Sequence, residues 1–242
     1  MGRFYYDLHI HSCLSPCGDD ESTPNSIAGI ACLSELDIVA LTDHNTCKNC
    51  PAFFEAAARY GIIPIAGMEL TTSEDIHAVC LFPDLPSAMR FDEYIDSHRI
   101  KIKNRPEFFG RQQILDSEDG IIGEEEYLLS NATDISIDSA KETAERFGGI
   151  CYPAHIDRDA NGIIAVLGTL PCDLGFRHFG LHDRKRLDAL AQKYGIPEER
   201  FIISSDAHVL TDIRDKENYF ELDASRNDPD AVREALFRLL RS

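Results

Sequence analysis

Basic residues are scarce in this sequence: 24 Lys and Arg stand against 42 Asp and Glu in 242 residues, a formal net charge of −18. Proteins that coat long nucleic acid draw their affinity from phosphates neutralised by Lys and Arg, so the composition excludes that class. It leaves room for a nucleotide or a short oligonucleotide, provided metal ions bring the positive charge. Long apolar runs are missing too, and none approaches the roughly 18–20 residues that a membrane helix needs. The first residues, Met1 to Asp7, hold no apolar signal stretch, and Tyr6 breaks the myristoylation pattern. A soluble, cytoplasmic protein without a membrane partner is expected. With only 11 prolines and 27% charged residues, disordered and collagen-like chains are excluded. Eight cysteines are too few for a disulfide scaffold at this length, so they read as free thiols or ligands.

What is present is a chain of alternating strand and helix signals, with no internal repeat and no low-complexity linker. Strands are predicted at 4–11, 38–42, 62–70, 77–82, 150–154 and 201–204. Helices are predicted from Thr23-Pro24 to Ser34, from Pro51 to Tyr60 with a stop at Gly61, and at 87–100, 138–147, 183–194 and 228–240. The 38–42 segment is apolar without alternation, as a parallel strand covered on both faces should be. Such an order predicts a parallel sheet. Single α/β barrels run to roughly 250 residues, so the length favours closure of residues 1–242 into one barrel domain. Residues 101–130 fit no element and read as a long loop or small excursion at the barrel mouth. Within it Glu124-Glu125-Glu126 reads as the start of a solvated helical turn.

The polar residues fall at informative places. His9 and His11 end the first strand at i and i+2 and so share a face. Asp43-His44 follows the second strand, Glu69 ends the third, His155 follows Pro153-Ala154, and Asp206 and His208 repeat the i, i+2 spacing after 201–204. His77 is the exception, because it begins its strand. C-terminal strand ends converge on the mouth of a (β/α) barrel, where active sites are built. Imidazole with carboxylate suits Mn, Fe, Zn or Co and not calcium. There are more ligands than one four-coordinate ion can use, so two or three divalent ions are expected.

These residues lie in segments that resemble, in order, the motifs of the PHP (polymerase and histidinol phosphatase) family. They are Asp7-Leu8-His9-Ile10-His11-Ser12, Leu41-Thr42-Asp43-His44-Asn45, Gly67-Met68-Glu69, Pro153-Ala154-His155 and Ser205-Asp206-Ala207-His208. The resemblance implies an α/β fold, a distorted (β/α)7 TIM-like barrel of a single domain, holding a trinuclear Mn, Fe or Zn site. By that resemblance the ligands are His9, His11, His44, Glu69, His77, His155, Asp206 and His208, with one more acidic residue after the first motif. There Ser15-Pro16-Cys17-Gly18-Asp19-Asp20-Glu21 departs from the family's Ser-Asp-Gly. Counting back from Pro24 favours Asp19, and Asp20 stays open.

The implied reaction is hydrolysis of a small phosphorylated substrate, a phosphomonoester, a nucleotide or the end of a short oligonucleotide, by a hydroxide bridging two metal ions. Arg105, Arg111 and Arg158 are candidates to clamp the non-reacting phosphate oxygens. An amidohydrolase-like hydrolase and a non-catalytic metal-bound regulatory module are the alternatives. Cys13, Cys17, Cys47 and Cys50 each follow a ligand motif, and four thiols together can bind Zn or an Fe–S cluster. His98, His178 and His182 lack a strand-end position and are expected at the surface or behind the ligands.

Overall fold

The computed structural model describes residues 1–171 and 173–242. In chain order it forms β1 (Gly2–Ile10), α1 (Pro24–Leu33), β2 (Ile38–Leu41), α2 (Cys50–Tyr60), β3 (Ile63–Thr71), β4 (His77–Phe82) and α3 (Leu85–His98). An arm follows, with the single turn α4 (Pro106–Phe109) and a hairpin of β5 (Gln113–Leu115) and β6 (Ile121–Glu124). The chain continues through α5 (Ile137–Arg146), β7 (Ile150–Pro153), α6 (Ile163–Leu167), β8 (Phe179–Leu181), α7 (Leu187–Tyr194), β9 (Phe201–Ile203), β10 (Tyr219–Leu222) and α8 (Pro229–Leu240). The helices start and stop on local signals. Thr23 caps α1 by accepting from Ser26 N at 3.1 Å with Pro24 behind it, and Gly61 closes α2 at φ 72°.

The main sheet has the strand order β10-β1-β2-β3-β4-β7, and β8 pairs with β9 in a second, two-stranded sheet. The gap between the two closes at the strand ends. His11 N donates to Ala207 O and Asp206 N to His9 O (2.9 Å each), and Ile156 N donates to Gly180 O (2.9 Å). The result is an α/β fold with a curled, mixed half-barrel, a distorted TIM-like barrel of one domain. Gly180 permits the last of these joins, since a Cβ there would stand 3.0 Å from His155 N and Pro153 O. No helix among the described residues is long and apolar enough to cross a membrane.

An all-parallel sheet is the expectation that fails. β4 runs antiparallel to both β3 and β7, and β10 antiparallel to β1. A parallel connection needs a crossover of a dozen or more residues. Only 72–76 separate β3 from β4, so the pair can only form a hairpin, turned by Asp75 at φ 61°. The four-residue edge strand β10 carries no pattern long enough to predict. Residues 124–126 are not a helical turn either: Glu124 ends β6, and Glu125 is buried between Lys48 and Arg99, whose Nη2 stands 3.0 Å from Oε1.

Two apolar cores lie on either side of the sheet. Inside the curl, Phe4, Leu8, Ile38, Ile65, Val79, Leu81 and Tyr152 pack with Leu236 and Phe237 of α8. Outside, Val39, Leu41, Met68, Leu70, Cys80 and Phe82 meet α1, α2, α3 and α5. Alternation along β3 and β4 therefore directs odd-numbered residues inward, Glu69 and His77 among them. On β1 the even-numbered Phe4, Tyr6 and Leu8 face inward, but Ile10 belongs to the outer core. The parity changes because the β1–β2 register shifts between Asp7 and Ile10. That irregularity re-aims His9 and His11 into the barrel, a common use of a bulge beside a site.

Candidate metal centre

The strand ends bring two carboxylates and six imidazoles into one buried nest. Glu69 lies at its centre, 1% exposed. Its Oε1 is 3.0 Å from His155 Nε2, 3.1 Å from His77 Nδ1 and 3.2 Å from His9 Nε2. Oε2 is 3.1 Å from His44 Nδ1 and 3.3 Å from His11 Nε2. Asp206 Oδ1 approaches His9 and His11 Nε2 at 3.3 and 3.4 Å, and His208 Nδ1 at 3.8 Å. The antiparallel β4 explains His77: its first residue lies at the mouth where the parallel strands have their last.

Three sets of donor atoms gather within 4.8 Å: His9, His11, Glu69 and Asp206; His44, Glu69 and His77; and His11, His44 and His208. His155 joins them through Glu69. Asn45, His155 and Asp206 hold positive φ values of 50°, 24° and 52°. Such backbone strain persists where the surroundings over-determine it, commonly at functional sites.

Residues behind the nest set which ring atoms face inward. Asp43 accepts from Ser12 N, Ser12 Oγ and Ser15 Oγ, each at 2.7 Å. With its proton given to Asp43, Ser15 Oγ accepts from His44 N (3.1 Å) and His11 Nδ1 (2.9 Å). His11 therefore carries a proton on Nδ1 and turns Nε2 to the carboxylates, the nitrogen that a metal ion would take in place of a proton. His208 Nδ1 likewise donates to the backbone two residues back, at Asp206 O 2.8 Å away. Asp7 accepts from Ser205 N (3.1 Å) and His9 N (3.3 Å), tying the first motif to the last. Burial pushes the Asp7 carboxyl up to about 6 against those bonds.

The nest fits divalent ions. Asp206 Oδ1 and His44 Nδ1 are buried and make no well-formed hydrogen bond, a costly condition unless a cation meets them. Burial favours the acid form of Glu69, yet His77, His9 and His44 together hold it well below the usual carboxylate range. Burial also opposes a charge on His11, but the adjacent Asp206 and Glu69 carboxylates outweigh it and lift the imidazole to about 10. The two carboxylates thus demand positive charge at this spot. Mixed N and O donors suit transition-metal ions.

The nest opens on a cleft of about 330 Å³. Arg158 stands at the rim with Nη1 2.9 Å from Asp206 Oδ2. His182, expected at the surface or behind the ligands, and Arg214, not singled out in the sequence, stand beside it: Arg158 Nη2 and Arg214 Nη2 are 3.5 and 3.3 Å from His182 Nδ1. His182 does follow a strand, but the three-residue β8 was too short to read. A cavity of about 420 Å³ beside Lys141, Arg177 and Arg241 holds none of the expected ligands.

Other expected residues lie elsewhere. Asp19 and Asp20 are exposed, and Asp19 Oδ1 accepts from Glu21 N at 2.8 Å within its own turn. Arg105 stacks over Phe108 at 4.8 Å and Arg111 Nε bonds Glu124 Oε1 at 3.0 Å, both on the exposed arm. Cys13, Cys47 and Cys50 are buried apart from the nest, with Cys47 Sγ donating to Gly67 O at 3.2 Å, and only Cys17 of the four lines the cleft. No cysteine joins a metal-ready group among the described residues. His98 pairs with Asp134 at 2.7 Å on the surface, and His178 is buried against Leu240 O at 2.9 Å.

The sequence profile of the PHP domain matches residues 7–147, more than half of the chain. The chain belongs to the PHP domain family. An uncharacterized protein of Methanocaldococcus jannaschii is 29% identical over 99 residues, 37% of this PHP domain chain and 58% of that relative. Among solved structures, a lesion-specific endonuclease from Pyrococcus furiosus superposes with a TM-score of 0.67 at 19% identity, covering 98% of this chain and 56% of the endonuclease. A candidate metal-dependent phosphoesterase from Bifidobacterium adolescentis gives 0.57 at 18% identity and 96% of each chain. At these identities the structural likenesses speak for the PHP fold. The chain spans little more than half the length of the curated relative and of the endonuclease.

Proposed function

We propose that this PHP domain is a phosphoesterase that uses two or three divalent ions, Mn, Fe or Zn, to hydrolyse a small phosphorylated substrate. The observation that carries the reading is the nest itself: three donor groups that share Glu69, His11 and His44 and open on a cleft with an arginine at its rim. The ions would be held within three overlapping groups, His9, His11, Glu69 and Asp206, then His44, Glu69 and His77, and His11, His44 and His208, with Glu69 able to serve two ions, each imidazole serving one, and His155 adding a further ligand beside Glu69. Bound divalent ions supply Lewis acidity, an activated water and neutralisation of phosphate charge.

The chain's own part is positional. Asp43 and Ser15 hold the His11 ring, and Asp7 holds the Ser205 backbone beside Asp206. Burial keeps bulk water from the carboxylates, which strengthens their hold on a cation. Arg158 can exchange Asp206 for a non-reacting phosphate oxygen, and Arg214 backs it through His182.

A cleft of about 330 Å³ is the size of a phosphomonoester, a nucleotide or the terminal nucleotide of a short oligonucleotide. The endonuclease relative acts on lesions by its name, but a net charge of −18 opposes a broad duplex interface here. The test is phosphate release from phosphomonoesters, nucleotides, dinucleotides and short RNAs, with protein stripped of metal and reloaded with Mn²⁺, Fe²⁺ or Zn²⁺. Selective release that Asp206→Asn lacks is expected. No release from any ester by metal-loaded protein would overturn the reading in favour of an amidohydrolase-like or regulatory role.

A further inference from the structure

The geometry points to a second ligand site, at the opposite end of β7 and β8 from the metal nest, that takes a nucleotide, with its phosphate in one cavity and its base in the next. The first cavity, of about 420 Å³, lies where these strands begin, with Ile150 and His178 in its walls. Their other ends lead to His155 and His182 at the nest. Neither cavity shares a residue with the metal cleft, and no metal-ready group stands at them among the described residues. The site therefore binds its ligand without hydrolysing it, and the inference does not depend on the phosphoesterase reading.

Charge at this end runs against that of the whole chain. Among the described residues lining the two cavities, Lys141, Arg177, Arg200 and Arg241 are basic and Glu145 alone is acidic, in a chain of net charge −18. The arginines meet backbone oxygens rather than Asp or Glu side chains. Arg241 Nη2 donates to Gly148 O at 2.6 Å, and Arg177 and Arg200 Nη1 converge on Ser242 O at 2.9 and 3.2 Å. Each guanidinium has five N–H donors, so donors remain for the oxygens of a phosphate. Lys141 Nζ stands 3.8 Å from Glu145. His178 is part of the wall, with Nε2 donating to Leu240 O at 2.9 Å. Burial, with Arg200 and Arg177 nearby, holds its imidazole below the usual range, so the positive charge comes from groups that keep it at neutral pH.

The second cavity, of about 350 Å³, shares Arg177 with the first and is walled by Phe176, Phe179, Tyr194, Ile196 and Pro197. Gly175, also in its wall, joins the two. At φ 67° it places no side chain beside Lys141 Nζ, which an added Cβ would meet at 3.6 Å. Aromatic and aliphatic walls suit the faces of a base. The Tyr194 hydroxyl is buried without a hydrogen-bond partner, a cost that a polar group on a base edge would relieve. Two adjoining volumes, one cationic and one aromatic with an orphaned hydroxyl, match a phosphate joined to a base. Inorganic phosphate would leave the second of them unused.

The test is calorimetric titration of the full chain, stripped of metal and held in chelator so that the nest cannot take phosphate through bound ions. The probes are AMP, GMP, CMP and UMP, with adenosine and inorganic phosphate as the separate halves. One site per chain is expected for at least one nucleotide, with adenosine and inorganic phosphate each bound about tenfold or more weakly. Lys141→Glu and Arg177→Glu should each weaken that nucleotide about tenfold or more. Lys103→Glu, the same charge change on the distant arm, should leave it unaltered. Hydrogen exchange of the parent chain needs no variant: the nucleotide should protect amides at 148–151 and 175–179 and leave 206–208 unchanged. Binding by none of the four nucleotides, equal affinity for inorganic phosphate, unaltered affinity in both charge variants, or protection confined to 206–208 overturns the assignment. No turnover is read, so a chain that hydrolyses no ester can still show the site, and an active phosphoesterase can lack it.

Discussion

The metal nest and the arm at residues 99–131 meet at the same mouth, and they are built by opposite means. In the nest every donor lies on a sheet strand or within five residues of its end, so the sheet sets its direction and burial holds it there. In the arm, short elements are tied down by side chains: Asn45 Nδ2 donates to Leu129 O (2.7 Å) and Asn131 O (2.9 Å), and Glu125 joins Lys48 to Arg99. Beyond those roots, Phe108 and Ile122 are more than 60% exposed. The contrast teaches where function should be sensitive. Substitutions in the nest should abolish chemistry, those at the arm root should cost stability, and those on the outer arm should do little.

The strongest way to break that contrast is Glu69→Gln. It removes the anion shared by five imidazoles and should lower kcat/KM for any hydrolysed ester by about 10³, ~4 kcal/mol of transition-state stabilisation. Steady-state kinetics at saturating metal would check it. Next comes Asp43→Asn, which touches no ion. Losing the charged acceptor of three 2.7 Å bonds should cost ~3 kcal/mol in denaturant unfolding. It should also weaken metal binding about 10–100-fold by loosening His11.

Asn45→Ala sharpens the boundary between the two regions. It deletes the arm contacts and the bond from Thr71 N to Asn45 Oδ1 at 2.8 Å, at a cost of ~2 kcal/mol. Limited proteolysis should then cut between residues 100 and 130 while metal stays bound. The smallest effect should come from Arg111→Ala. Its partner Glu124 is exposed, and such pairs are worth about 0–1 kcal/mol. A change in kcat/KM of less than about twofold is expected, and a larger one would return the outer arm to the substrate pocket.

The same contrast governs what could be read from the sequence. Strand-end histidines and carboxylates were legible because a period of two and an i, i+2 spacing are local properties. His77 looked misplaced only because the direction of its strand depends on the short 72–76 connection. The register shift in β1 that turns His9 and His11 inward was invisible, since it depends on pairing with β2. Asp43 stood beside a ligand in the sequence, yet its role as the anchor of two serines emerges only when the 12–15 turn folds over it. Asp19 fitted by counting from Pro24, but its turn closes on itself and leaves Cys17 facing the cleft. The arm gave no periodic signal because its order comes from Asn45, Lys48 and Arg99, far away in the chain.

The central claim is that one carboxylate, Glu69, knits these imidazoles into a centre for more than one ion. It is tested most directly by the metal-to-chain ratio after stripping, reloading and gel filtration, in the parent chain and in Glu69→Gln. The account predicts two or three ions per chain in the parent and at most one in the variant. A parent ratio of one or less, or equal ratios in the two proteins, would contradict it.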